Sequence, residues 1–433
     1  MPRLRVLPTL HLVGSSVASA TAFRGAPPIA DPTSEVSRLW IGRFSLVWFG
    51  FWLGSVVPLN LLIPDQLNSI DPVHKVRDFG IVNAAAGLAA LVCLPVFGAL
   101  CDRSRSRFGR RRAYMAGGLL AYAAALSLVG LASSWPAIAA LWTLTILGAS
   151  AATVGLTAAI ADRVPDHQRG VVSGAVYGPQ ALGVVLGISV LTAAGLPRAS
   201  NYFVLAAVLL LCSVSFIRHY AEASPESATS ALSLPDLLQD LWISPREYPD
   251  FAWVFGGRTL VNLANSLGTT FLLYFLQDDL KVDHPAENLV LLTLVYLVFT
   301  LAATLVFGVS SDRSARRRIF VAAAAALQAA AGIVLSLFPS LQTAVVAAAL
   351  LGTGYGAYMA VDQALITEVL PHATSKAKDL GIMNIGSVVP QALGPLLGSL
   401  IISELGGYAT LFGLTGLVSA VGAASIYKVR SIR

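Results

Sequence analysis

The stretch Gly98-Ala99-Leu100-Cys101-Asp102-Arg103-Ser104-Arg105-Ser106-Arg107-Phe108-Gly109-Arg110-Arg111-Arg112 decides how this chain is read. A run of about twenty apolar residues leads into Asp-Arg-Ser, and a burst of cations follows. A membrane-spanning helix ends in this way on its cytoplasmic side. A shorter copy, Gly308-Val309-Ser310-Ser311-Asp312-Arg313-Ser314-Ala315-Arg316-Arg317-Arg318, lies about 210 residues further on. The recurrence implies two similar membrane halves in one chain.

Composition agrees. The 433 residues are 56% hydrophobic and 12% charged, and a soluble domain carries about twice that charge. The mean hydropathy is +0.72, and apolar runs of 18 or more residues recur, which reads as a polytopic helical membrane protein. The net charge of +6 does not call for nucleic acid, because the cations sit in short loops beside the apolar runs. Cys93, Cys101 and Cys212 fall in or at the ends of apolar segments, without metal-ligand spacing or an obvious pairing, and read as packing residues. Ala18-Ser19-Ala20 faintly resembles a secretory cleavage site, but His11, Ser15 and Ser16 make the preceding run a poor hydrophobic region. A cytoplasmic tail or an overextended start fits residues 1–42 better.

Twelve spans are expected at 43–64, 79–101, 113–132, 136–161, 169–194, 200–218, 251–276, 288–310, 319–338, 341–369, 379–403 and 407–427. They group as a six-helix bundle over 43–218, a polar linker over 219–250 containing Pro225, Pro235 and Pro245, a second six-helix bundle over 251–427, and a tail over 428–433. The expected fold class is all-α, two pseudo-symmetric six-helix bundles in a lipid bilayer. With both termini in the cytoplasm, nearly all lysines and arginines fall in cytoplasmic tails and loops. The outer loops then hold Lys75, Arg77, Arg198 and Lys281 among the acids Asp65, Asp71, Asp278, Asp279, Asp283 and Glu287. The reverse orientation breaks the positive-inside rule. A multi-pass protein of the cell membrane, expected as a monomer, follows.

The halves match beyond the arginine loops. Gly170-Val171-Val172-Ser173 and Pro179-Gln180-Ala181-Leu182-Gly183 in the fifth span answer Gly381-Ile382-Met383-Asn384 and Pro390-Gln391-Ala392-Leu393-Gly394 in the eleventh. Asp162-Arg163-Val164-Pro165 answers Glu368-Val369-Leu370-Pro371 at the ends of the fourth and tenth. Duplication retained for packing alone does not readily explain recurring charged positions, whereas parallel halves are a transporter signature.

On these motifs the chain resembles the major facilitator superfamily, whose second-to-third-helix loop carries a Gly, an Asp-Arg and a Gly-Arg-Arg. Five residues separate Asp102-Arg103 from Gly109-Arg110-Arg111, where the commonest form has one. The longer form is similar to the glycoside–pentoside–hexuronide cation symporters and the related sucrose transporters, as is the Gly381…Asn384…Pro390-Gln391 run. The resemblance implies a conformational latch at Asp102, Arg103, Gly109 and Arg110, repeated at Asp312 and Arg313. Arg105, Arg107 and Arg112 read instead as topology anchors.

Two formal charges stand out inside the expected spans, Arg258 in the seventh and Asp362 in the tenth. Each costs roughly 2.5–3.5 kcal/mol at mid-bilayer, so neither is expected to face lipid. Both lie roughly 10 Å from the cytoplasmic helix ends, which permits a salt bridge and makes them the candidate coupling pair. Arg258, Asn262, Asn265 and Thr269 share one helix face, as do Tyr355, Tyr358 and Asp362. Trp48, Trp52 and Ser55 line a face of the first span, and Ser150, Thr153 and Thr157 a face of the fourth. Trp48, Trp52, Asn262, Asn265, Tyr355 and Tyr358 are the candidate substrate-cavity residues, since aromatic faces stack on sugar C–H surfaces while amides bond hydroxyls. Small polar residues also glue helices together, and that reading suits Ser150, Thr153 and Thr157 at least as well.

His11, His74, His167, His219, His284 and His372 all fall in tails, loops or helix ends. The carboxyl of Asp362 is therefore the best proton carrier. A sodium site would want several oxygens around a carboxylate, and no such acid cluster is visible, so a proton is favoured over sodium as the coupling ion. Nothing calls for a cofactor or metal, and no zincin motif or nucleotide loop suggests an enzyme. The leading expectation is alternating-access symport of a small molecule, a sugar or glycoside, with a proton. The alternative is proton-antiporting export of a small hydrophobic or natural-product molecule.

Overall fold

The computed structural model describes residues 35–104, 106, 108–220, 246–314, 317–368 and 376–429. Among them, twelve helices are long and apolar enough to cross a membrane. These are α1 (Arg38–Ile70), α2 (Lys75–Arg103), α3 (Arg110–Val129), α4 (Trp135–Arg163), α5 (Arg169–Ala194) and α6 (Arg198–His219), then α7 (Pro249–Asp279), α8 (Pro285–Ser314), α9 (Arg317–Leu337), α10 (Leu341–Glu368), α11 (Lys376–Glu404) and α12 (Gly407–Ile426). Up-and-down order puts both arginine loops and both described ends of the chain on one face, called here the near face.

The packing repeats under a shift of six helices. In the first half α1 packs on α5 and α6, α2 on α4, and α3 on α4 and α6. In the second, α7 packs on α11 and α12, α8 on α10, and α9 on α10 and α12. The bundles meet through α2 against α11 and α5 against α8, again a symmetric pair. In lipid, helices associate by close approach rather than by a hydrophobic drive, and small residues permit it. A Cβ on Gly118 of α3 would lie 2.4 Å from the Ala152 nitrogen of α4, and one on Gly148 would lie 2.5 Å from the Tyr122 nitrogen. Gly352 and Gly356 bring α10 equally close to Tyr296 and Thr300 of α8.

Local chemistry sets the helix ends. Ser37 caps α1 by accepting from the Trp40 amide at 3.2 Å. Gly109 opens α3 at φ 96°, a left-handed backbone that favours glycine. The first helix is longer than the sequence spacing predicts, and Gln66 shows why. Its amide is buried and donates to the Val129 and Ala132 carbonyls at 2.9 Å, pinning the end of α1 to the end of α3. Its own carbonyl accepts from the Tyr202 hydroxyl at 2.8 Å. A polar residue that looks like a loop is thus part of the bundle. Both α1 and α7 contain a π-helical turn toward the far face, at Pro58–Leu62 and Phe275–Asp279.

Candidate substrate and coupling site

The second bundle holds a connected polar network at membrane depth. Arg258 of α7 and Asp362 of α10 are 6% and 1% exposed, and the Arg258 guanidinium Nη1 bonds Asp362 Oδ2. The other carboxylate oxygen accepts from the Tyr358 hydroxyl at 2.6 Å. Arg258 Nη2 reaches Ser387 Oγ of α11 at 3.4 Å. One turn further along α7, Asn262 donates to the Arg258 carbonyl at 2.9 Å and accepts from the Tyr355 hydroxyl at 3.3 Å. Asn265 accepts from the Tyr296 hydroxyl of α8 at 3.0 Å. Three helices of one bundle, α7, α10 and α11, therefore converge on a single charge pair, and α8 joins α7 further along through Tyr296.

The electrostatics of this arrangement are informative. Both charges leave water, and an ion pair in such surroundings stabilises a fold less well than apolar packing of the same volume. Its bonds are good, since both carboxylate oxygens receive donors. Arg258 Nε is nevertheless buried without an acceptor among the described residues. The pair thus keeps a spare donor on Arg258. Tyr296 and Ser387 escape a reading of the sequence. Each is one modest polar residue in an apolar run, and only the fold brings α8 and α11 against α7.

The first bundle presents a different surface. Trp52 is half-buried and donates its indole N–H to the Val176 carbonyl of α5 at 2.9 Å. Trp48 is 3% exposed, enclosed by Phe44, Phe51 and Trp52 with ring centroids 5.1–6.2 Å away. Ser55 shares a 2.6 Å bond with Tyr122. Ser150 and Thr157 bond carbonyls of their own helix, those of Ile146 and Thr153, at 2.7 Å each. Those hydroxyls bond back within their own helix and not across to a neighbour.

At the near face the side chains of Asp102, Arg103, Asp312 and Arg313 lie outside the described residues. Gly109 and Arg110 are described, and a neighbouring clamp stands out. Arg111 Nε donates to Asp162 Oδ2 at 2.9 Å, with Arg110 at 3.9 Å, and Arg111 Nη1 reaches Cys101 Sγ at 3.4 Å. The clamp ties the ends of α2 and α4 to the start of α3. Its sequence signal was the acid that ends the fourth span in one half and the tenth in the other. Among the described residues no three His, Cys, Asp or Glu side chains gather as a metal site would require.

Comparison with known proteins places this geometry. Residues 39–283 and 254–431 match the sequence profile of the Major Facilitator Superfamily. The chain belongs to the Major Facilitator Superfamily. It is therefore a transporter and not an enzyme. A segment of 121 residues is 27% identical to the sucrose transport protein SUC4 of Arabidopsis thaliana. That match spans 26% of this chain and 22% of the relative's length. A mutant crystal structure of the nucleoside transporter NupG superimposes with a TM-score of 0.69 over 90% of this chain and 99% of that one. At 13% identity that likeness speaks for the superfamily fold alone.

The superfamily fold also sets the limits of the charged inventory. The sequence reading left Lys75 and Asp78 outside the spans, and the structure puts both in the first turn of α2, 6% and 0% exposed. They lie near the far end of the transporter, away from the Arg258–Asp362 pair.

Proposed function

We propose that this transporter couples the movement of a sugar or glycoside to a proton by alternating access, importing it across the cell membrane with both termini in the cytoplasm. The observation that carries the reading is the buried Arg258–Asp362–Tyr358 triad joined to the Asn262–Tyr355 pair. Asp362 takes up the proton. Protonation dissolves its ion pair with Arg258 and frees the guanidinium to bond a substrate hydroxyl. Return of the carboxylate to Arg258 expels the proton. Amides and phenols at Asn262, Asn265 and Tyr355 supply the donor and acceptor pattern that a polyol requires, and the half-buried ring of Trp52 supplies an apolar face. The local likeness to a sucrose transport protein supports the same substrate class. The concentration of cations at the near face supports the orientation.

Reconstituted protein tests the reading. An inward proton gradient should drive radiolabelled sucrose or a sucrose-like glycoside into proteoliposomes above equilibrium, and a protonophore should abolish the excess. Accumulation that ignores the gradient, or accelerated efflux on the same gradient, would count against it.

A further inference from the structure

We propose that Lys75 works the far-face gate by exchanging acids, pairing with Asp278 across the bundles when the gate is closed and with Asp78 of its own helix when it is open. The far face is closed in this structure. Lys75 Nζ of α2 bonds Asp278 Oδ1 at the end of α7 at 2.5 Å. Asn68 Oδ1 also accepts from Lys75, at 2.8 Å, and the ammonium lies 4.9 Å from the centroid of the Tyr274 ring. The second oxygen of Asp278 accepts from the Tyr408 hydroxyl of α12 at 2.9 Å. Around this lock the bundles are pressed together. The Tyr274 hydroxyl donates to the Pro64 carbonyl of α1 at 3.0 Å. Phe79 packs edge-on against Phe271 and Tyr274, with centroids 5.6 and 5.7 Å away. Deeper in, Gly87 lies against Ala392 of α11.

Opening must part Lys75 from Asp278, because they ride on different bundles. Opening takes from the Lys75 ammonium the acid and the charge-assisted bond that hold it in the closed state. Asp78 answers that problem. It sits three residues after Lys75 on α2, the spacing that makes side chains neighbours on a helix surface. It is fully buried. Arg77 donates to its Oδ1 at 3.0 and 3.1 Å, while its Oδ2 has no partner among the described residues. A buried carboxylate oxygen without a donor is costly to keep, and its position one turn from Lys75 gives it a use in the other state. Lys75, Asp78 and Asp278 are positioning residues in this scheme and touch no substrate.

Distances between spin labels test this without a substrate. Val73→Cys and Asp283→Cys place labels on exposed sites of the two bundles, in protein whose three native cysteines are alanine. Asp278→Asn should raise the ratio of long to short distances about tenfold, the scale of one charge-assisted hydrogen bond. Adding Asp78→Asn should draw the distribution back toward the short distance, since Lys75 then has no acid in either state. Asp78→Asn alone should lower the long population. The lock is wrong if Asp278→Asn leaves the distribution unchanged. The exchange is wrong if Asp78→Asn leaves the long population unchanged or increases it in either background.

Discussion

Asp362 sits where a carboxylate is expensive, and two donors hold it there, the Arg258 guanidinium and the Tyr358 phenol. Removing one member of such a pair leaves the other buried and uncompensated, a loss of about 3–5 kcal/mol. Arg258→Ala should therefore lower the melting temperature of the purified protein markedly, and Arg258→Ala with Asp362→Asn should recover part of the loss. Simple additivity of the two effects would show that they are not partners. The functional counterpart is Asp362→Asn alone. An amide keeps the size of the carboxyl and cannot carry a proton, so counterflow of radiolabelled sucrose should survive while gradient-driven accumulation disappears. Retained accumulation would make Asp362 structural. At this scale the charges were legible, because Arg258 and Asp362 interrupt apolar runs. Lys75 and Asp78 were not, because at the edge of a run a buried charge and a loop charge look the same. What distinguishes them is the partner, and Asp278 lies 203 residues away from Lys75.

Helices in this protein touch where glycine leaves room. Gly117 and Gly118 are neighbours on α3 with opposite surroundings. A Cβ on Gly117 would meet nothing within 4 Å, whereas one on Gly118 would lie 2.4 Å from the backbone of α4. Gly117→Ala should leave stability unchanged or raise it, by about 1 kcal/mol at most on helix propensity. Gly118→Val should separate α3 from α4, costing about 1–3 kcal/mol or more of overpacking. Thermal unfolding in detergent checks both, and equal effects would contradict the packing described. The sequence could place these helices from their apolar runs. It could not say which glycine of the pair faces a neighbour, since both lie in the same alanine-rich run. Helix ends were hidden for a related reason. Gln66 and Asp65 look like the start of a loop, yet Gln66 is held inside by the carbonyls that end α3.

The whole molecule follows from a duplication. The main helix contacts in the first half have their counterparts six helices on, and the most extensive contacts between the bundles form a symmetric set, α2 with α11 and α5 with α8. That the chain has two similar halves was readable from the repeated arginine loops and the two Pro-Gln-Ala-Leu-Gly segments. The order of the bundles in space was not, because a repeat states kinship and not contact. Orientation is a separate prediction. Cysteines placed at Ser106 and Ser314 should be protected from an impermeant thiol reagent outside intact cells, and one at Asp283 should react. External labelling at position 106 would invert the molecule in the membrane. The central claim is that sugar and proton move together through the Asp362 site. It is tested most directly by recording external pH as sucrose is added to proteoliposomes without an imposed gradient. The account predicts a sucrose-dependent alkalinisation outside, matched to the sucrose taken up and absent in Asp362→Asn. Sucrose uptake with no proton movement, or acidification outside, would contradict it.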